Sequence, residues 1–261
     1  MDLKRHFKIL KVLAKNSFMV VLANKRLLLV FLSGKLIKFV FYLLFIYFLL
    51  SNTSDLVGYS RDEVILFFLT FNLIDILAQF LYREVYRFRP MLISGSFDLI
   101  LAKPVNALFR ILFGGIDVID FITIPPLIAA IIWVGASFDP TLLQVFFYML
   151  LVLNGLIIAT AFHIAVIALG IITLEIDYTL WIYRDVTELG KFPIEIYAEP
   201  LRSVLTYLIP VGVMIAYPVK SFLGVLSIQS MFIAILVSGL AVLVSVNFWK
   251  YALRFYTSAS S

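Results

Sequence analysis

Between residues 142 and 174 the chain carries no Asp, Glu, Lys or Arg, and the same holds from Ser221 to Trp249. Runs of this length match what a bilayer asks of a helix, about 20 mainly apolar residues across a hydrocarbon core about 30 Å thick. In lipid every backbone N–H and C=O must find its partner within the protein, which leaves helices and closed barrels. A barrel would alternate apolar and polar positions in segments of about ten residues. These runs are continuous, so the chain is expected to be an all-α polytopic membrane protein. Composition agrees: 63% of the 261 residues are hydrophobic and 14% charged, whereas a soluble domain carries about 25% charged residues. One soluble core of this size could not bury that much apolar surface.

Spans are expected at about Leu27–Leu50, Glu63–Tyr82, Ile111–Val134, Leu142–Leu174 and Met231–Trp249. Lys35 and Lys38 interrupt the first and are expected to snorkel toward the nearer surface. The short polar loop 51–55 follows it. Pro125-Pro126 lies inside the third, and Asp139-Pro140 marks the loop after it. The fourth is too long for one perpendicular crossing, so it tilts or extends into water. Residues 175–225 allow two readings. In one, Ile176–Phe192 is the fifth span and 194–224 folds back into the outer leaflet. In the other, 174–200 is a cytoplasmic loop and Leu201–Tyr217, broken by Pro210, is the fifth span.

Residues 1–26 hold seven Lys/Arg and one acid, Asp2. Leu3, Phe7, Leu10, Leu13, Ala14 and Phe18 recur among them at helical spacing, so an amphipathic helix on the cytoplasmic membrane surface is expected, the alternative being a disordered basic tail. Orientation follows from basic bias. With the N-terminus inside, cytoplasmic segments hold fourteen Lys/Arg: seven in 1–26, five in 83–110 and two after 249. External segments hold three, Arg61, Arg202 and Lys220. Both termini inside requires an even number of spans, and six satisfies it. The chain reads as one membrane domain over 1–261, without internal repeat or soluble domain.

Several chemistries are excluded. There is no cysteine, hence no disulfide, thiolate metal site or cysteine nucleophile. No G-x-x-x-x-G-K-[ST] loop occurs; Ser33-Gly34-Lys35 lies in an apolar span without the upstream glycine, so ATP hydrolysis is not expected on this chain. H-E-x-x-H and G-x-S-x-G are absent. No metal site, cofactor or nucleic-acid partner is expected. A membrane-embedded enzyme, a scaffold or a passive channel are the other function classes, and convergent catalytic residues for the first are not found.

Two groups of residues stand out. The segment 83–106 mixes basic, aromatic and apolar residues, punctuated by Gly95 and Pro104. It suits docking against a soluble partner, or equally an interfacial loop held to anionic lipid by its arginines. The second group is ionisable and intramembrane: Asp75 with Asn72 and Gln79, Asp117 and Asp120 three apart and so on one face, and His163. Such groups face cavities or partners. They read either as a cation-attracting translocation path, with Asp117 and Asp120 foremost, or as helix–helix hydrogen bonding and pairing with Lys35, Lys38 or Arg110.

The stretch Gly-Ser-Phe-Asp-Leu-Ile-Leu-Ala-Lys-Pro-Val-Asn (95–106) resembles the G-x-(L/F)-D-x-x-L-x-(R/K)-P-(V/I)-(S/N) signature of ABC-2 family permeases, nearest to a bacterial subgroup of ABC-type transport-system permeases. Lys191-Phe-Pro-Ile-Glu-Ile-Tyr197, with Leu201-Arg202, Leu208-Ile-Pro-Val211 and Tyr217-Pro218, resembles that subgroup's second signature. The resemblance spans essentially the whole chain. It implies a permease subunit in the bacterial cytoplasmic membrane, paired with an identical or related permease. ATP and Mg would be bound by a separate ATP-binding-cassette subunit. It also implies a coupling helix over Tyr86, Arg87, Phe88, Arg89, Pro90 and Met91 to Ser94, with Gly95, Asp98, Lys103 and Pro104 leading into span three. An external re-entrant region over 194–224 would carry Phe192, Pro193, Tyr197, Arg202, Pro210 and Pro218. This favours the first reading of the fifth span. Arg184, Asp185 and Glu188 inside that span depart from the pattern, unless Arg184 and Glu188 neutralise each other four residues apart. Export is the direction implied. Hydrophobic cations or drugs are the substrate class suggested by the span-three acids, beside lipids, peptides or polysaccharides.

Overall fold

A computed structural model describes residues 3–23, 25–51 and 55–258. Asp2 and most of the polar loop 51–55 lie outside the described residues. Those described are helical, apart from turns and one isolated bridge between Leu56 and Tyr59.

Helix α1 (Leu3–Ala23) leaves Lys8, Lys11 and Lys15 exposed and turns Leu10, Leu13, Ala14 and Phe18 inward. After it come α2 (Lys25–Leu49) and α3 (Arg61–Leu81). Helix α3 starts two residues before the expected Glu63, because Ser60 is its cap: the carboxylate of Glu63, the third helical residue, accepts from the Ser60 N–H at 2.7 Å and closes a capping box. A 3₁₀ turn (Arg83–Arg87) and three short helices follow: α4 (Phe88–Ile93), α5 (Ser96–Leu101) and α6 (Ala107–Leu112).

The third long helix, α7 (Val118–Ala136), starts later than the expected Ile111. The apolar run hides a break. Gly114-Gly115 interrupts it, and a Cβ on Gly114 would run into the Arg110 side chain at 1.6 Å. Asp117 then caps α7 by accepting from the Ile119 N–H at 2.8 Å. Pro125-Pro126 is carried within α7. Helix α8 (Leu142–Thr173) opens on a reciprocal Thr141–Gln144 cap. Its 32 residues make a rod about 48 Å long, well beyond the hydrocarbon thickness.

Next comes α9 (Ile176–Glu188). At about 20 Å it falls short of a bilayer crossing by itself. Residues 189–200 continue it without regular α-helix. The pair α10 (Leu201–Leu208) and α11 (Gly212–Phe222) is bent by 74° at Ile209–Val211, where Pro210 lies buried. Helix α12 (Ile228–Ala252) closes the bundle. By length and composition, five helices among the described residues can cross a membrane, and a sixth if the bent pair counts as one.

Helices α3 and α8 form the centre. About 56% and 61% of their most apolar windows are buried, against 6% for α2 and 17% for α12. Polar side chains stitch the bundle, as expected where lipid supplies no hydrophobic drive between helices. Thr70 on α3 meets the Tyr148 hydroxyl on α8 at 3.1 Å. Asn154 on α8 accepts from the Ser238 hydroxyl on α12 at 2.6 Å. Gly155 permits a close approach: a Cβ there would stand 2.6 Å from the Met214 carbonyl oxygen.

The two ends of the bundle are distinct. One gathers α1, residues 83–117, the α8–α9 turn and the chain's end. There the Ile116 N–H donates to Ser17 Oγ, Arg89 reaches Asp177, and Tyr256 donates to Asp98. The other gathers the α7–α8 turn and the end of α11, with Phe222 against Gly135 and Gly224 against Gln144. Lys220 on α11 pairs with Glu195 there.

Candidate functional site

At the first end the segment 83–112 is bolted to the bundle from behind and exposed in front. Phe88 and Phe97 are fully buried, edge to face at 5.1 Å. Phe97 also packs on Trp249 of α12 and on Tyr256. Gly95 separates α4 from α5 at φ +72°, a left-handed conformation that costs glycine nothing. Arg89 clamps the α8–α9 turn: its Nε donates to the Leu174 carbonyl at 3.3 Å, and its Nη atoms face Asp177 at 3.1 Å and Glu175 at 3.8 Å. Asp98 accepts from the Tyr256 hydroxyl at 2.8 Å and the Ser258 hydroxyl at 2.6 Å. Burial, then its hydrogen bond to Asp98, pushes the Tyr256 phenol up to about 12. Burial, then the charge of Asp75, likewise pushes the Tyr86 phenol up to about 12. Both remain neutral hydrogen-bonding groups at physiological pH.

Three further ion pairs fix the base of this segment. Buried Glu84 takes Arg110 at 3.1 Å and Arg87 at 3.7 Å, and Arg83 faces Asp117 at 3.3 Å. Arg110 thus serves Glu84 and not the acids of α7. The outward surface carries Arg87, Pro90, Ile93, Leu99, Leu101, Lys103 and Pro104, all exposed, with Met91 half-buried.

The second feature is a cavity of about 450 Å³ between α2, α3, α7 and α9. Lys35, Lys38, Asp75, Arg184, Glu188 and Lys191 line it, with Asn72 and Gln79. Lys191 is 4% exposed; its ammonium meets the Tyr42 hydroxyl at 2.9 Å and lies over the Tyr42 and Phe71 rings. Asp75 accepts from Gln79 at 2.7 Å. Lys35 pairs with fully buried Asp120, and Lys38 faces Glu188 at 3.7 Å. Lys35 and Lys38 therefore turn to partners in the bundle instead of reaching for the membrane surface. Glu188 also takes Lys191 at 2.8 Å, so it is not spent on Arg184 as the four-residue spacing suggested. Asp185 is exposed and outside the lining.

The four ionisable residues singled out in the spans thus part company. Asp75 lines the cavity. Asp120 stands behind Lys35. Asp117 does not share its surroundings: it is a helix cap paired with Arg83 at the bundle's end, because the helix begins only at Val118. His163 is fully buried away from the cavity, its Nδ1 2.8 Å from the Ala159 carbonyl and its ring packed on Tyr82 and Tyr183 at 4.8 Å. It is a packing residue. Asp117 and Asp120 each face a base, Arg83 and Lys35.

The 191–220 residues assemble beside the cavity's far side. Phe192 packs on Phe45 of α2, and the Tyr197 hydroxyl donates to the Leu189 carbonyl at 2.9 Å. Pro193 and Pro218 are buried, and Arg202 pairs with Glu199 at 2.8 Å.

A family model described as ABC-2 family transporter protein matches residues 36–260. The chain belongs to the ABC-2 transporter family. It is a membrane component of an ABC transporter. No curated protein and no solved structure gives a significant match.

Some of the permease's site residues carry no sequence signal. Glu175 and Asp177 read as ordinary loop acids, and Tyr256 as a tail residue; their partners lie more than 80 positions away. In the sequence Lys191 stands out only as the first residue of the 191–197 motif. Its burial between two aromatic rings is a tertiary fact.

Proposed function

We propose that this chain is the permease subunit of an ABC exporter driven by ATP hydrolysis on a separate subunit. It would pair with a second copy or a related permease in the bacterial cytoplasmic membrane. Residues 83–106 receive the ATPase, and the cavity beside α9 is part of the translocation path, with Asp75 and Asp120 among its ionisable groups. The carrying observation is the segment 83–106 itself. It presents a basic and apolar ridge, Arg87, Ile93, Leu99, Leu101 and Lys103, while its back is fixed to α8, α9 and α12 through Arg89, Asp98 and Phe97. Exposed apolar residues among charges suit a soluble partner, and a fixed back lets a push on the ridge reach the spans.

The fourteen-to-three basic bias supports placing this end, with both termini, in the cytoplasm. In that orientation α9 with residues 189–200 makes the fifth crossing. Helices α10 and α11 then enter and leave from the outside as a re-entrant pair, bent at Pro210. The Glu195–Lys220 contact supports this, since it joins the end of that crossing to the end of α11.

The test is purification from native membranes followed by site-specific photo-crosslinking. An ATPase with a phosphate loop should co-elute, and a photo-reactive group at Ile93 or Leu99 should trap it. The same group at Val225, exposed at the opposite end, should not. A chain that elutes without any ATPase, or crosslinks equally from both ends, would overturn the reading.

A further inference from the structure

We propose that the intramembrane cavity takes the anionic headgroup of an amphipathic molecule, whose apolar body lies on the exposed side of α2 and α7. Calling that molecule the transported substrate rests on the permease reading above; the binding itself does not.

The argument begins with charge. The lining carries four bases, Lys35, Lys38, Arg184 and Lys191, against two acids, Asp75 and Glu188. Asp120 adds a third acid behind Lys35, and that pair is closed. Glu188 is shared, 2.8 Å from Lys191 and 3.7 Å from Lys38. Arg184 makes no ion pair among the described residues; of the charges that act on Asp75, its charge is the largest. Even with Asp75 assigned wholly to Arg184, one positive charge lacks a counter-ion. An unbalanced charge at membrane depth is costly, and such residues mark ligand or ion paths.

Geometry says which cation is available. Lys191 is held by Glu188, the Tyr42 hydroxyl and two rings, so it cannot snorkel away. Lys38 keeps 59% of its side chain exposed and touches Glu188 only at the edge of ion-pair range. It is free to turn to a guest, leaving Glu188 to Lys191. A volume of about 450 Å³ lies within the range of small-molecule sites. Phe39, Phe68 and Phe71 supply apolar wall, and Leu36 and Ile122 on the rim are exposed. A headgroup among the lysines with a chain passing Leu36 satisfies both halves.

The experiment uses the whole chain in phosphatidylcholine nanodiscs, with or without its ATPase, and reads fluorescence of two probes. One is a dansyl-labelled undecanoate, the other a dansyl-labelled trimethylammonium of equal chain length. The anionic probe should bind at least about tenfold tighter, and Lys38→Gln and Lys191→Gln should each weaken it about tenfold, as for loss of a charged hydrogen bond. Lys250→Gln, exposed on the last turn of α12, should change nothing. Phosphatidylglycerol should displace the probe, and inorganic phosphate should not. Equal binding of the two probes, or a Lys38→Gln variant that keeps the full anion preference, overturns the proposal. Lys38 is mostly exposed, so that variant does not depend on rescuing a buried site. Displacement by inorganic phosphate would overturn the amphipathic part. These outcomes leave co-elution of an ATPase untouched, and a missing ATPase leaves the binding untouched.

Discussion

Reversing Arg89 tests the transmission of movement from the exposed ridge to the spans. The side chain makes a hydrogen bond to the Leu174 carbonyl and two ion pairs, to Asp177 at 3.1 Å and Glu175 at 3.8 Å. All three side chains are partly exposed, at 38% for Arg89 and 50% for each acid. Solvent screening therefore holds each pair to about 0.2–1 kcal/mol, and Arg89→Ala should loosen the junction by about 1 kcal/mol. Arg89→Glu does more, because it sets a third carboxylate against Glu175 and Asp177. At about 4 Å each repulsion amounts to about 1 kcal/mol in water-like surroundings. The total is about 3 kcal/mol, on the order of 100-fold in the fraction of clamped junction. The assay is transport-coupled ATPase activity of the reconstituted complex, with co-elution as the control for assembly. Arg89→Glu should co-elute and lose coupling, Arg89→Ala should lose a small part, and Arg89→Glu with Asp177→Arg should recover most of it. At about 1 M salt, where the Debye length falls to about 3 Å, the difference between Ala and Glu should shrink. A fully coupled Arg89→Glu complex, or a charge swap without recovery, would refute the reasoning.

Three other outcomes follow from named contacts. Gly155→Ala should destabilise the detergent-solubilised protein by about 1–3 kcal/mol, since the new Cβ meets the Met214 carbonyl at 2.6 Å; Gly239→Ala, with nothing within 4 Å, should leave its thermal midpoint unchanged. The absence of native cysteine makes single-cysteine labelling clean: Asp139→Cys and Glu199→Cys should react with a membrane-impermeant maleimide from outside, and Ser258→Cys only from inside. Labelling of position 199 from inside would instead make α10–α11 a crossing and remove the re-entrant pair. Trp181→Pro, on the exposed side of α9, deletes a helical hydrogen bond at a cost of about 3 kcal/mol; it should preserve assembly measured by co-elution and abolish coupling measured by ATPase stimulation.

The spans were legible because lipid imposes one strong rule, and residues 142–174 or 231–249 obey it without interruption. The two places that went differently are where local chemistry outweighs hydropathy. At 113–117 the average stays apolar, but Gly114-Gly115 and the Asp117 cap end one helix and begin another. At 176–192 the charges Arg184 and Glu188 lower the signal of a segment that is nonetheless in the bundle, because they face a shared cavity. The segment 83–106 was visible as a composition and, through resemblance, as a motif. Its anchoring was not, since Arg89 finds Asp177 and Asp98 finds Tyr256 across 88 and 158 positions. The bases of the cavity were hidden for the same reason. Acids in an apolar helix are conspicuous one at a time, whereas the lysines that answer them lie on α2 and beyond α9.

Helix α9 ties these observations into one mechanical statement. Its first turn is gripped at Asp177 by Arg89, and its last turn ends at Glu188, between Lys38 and Lys191. Thirteen residues of continuous helix, about 20 Å, connect the two. A helix transmits axial displacement because its backbone hydrogen bonds lie along that axis. Moving the ridge by a fraction of a turn therefore moves Glu188 against two ammonium groups, of which Lys191 is wedged and Lys38 is loose. The contact that yields is the 3.7 Å one to Lys38. The same displacement that a partner would apply at the membrane surface thus changes how many cations in the cavity are free. On the proposed function, coupling and affinity would be two readings of a single helix position.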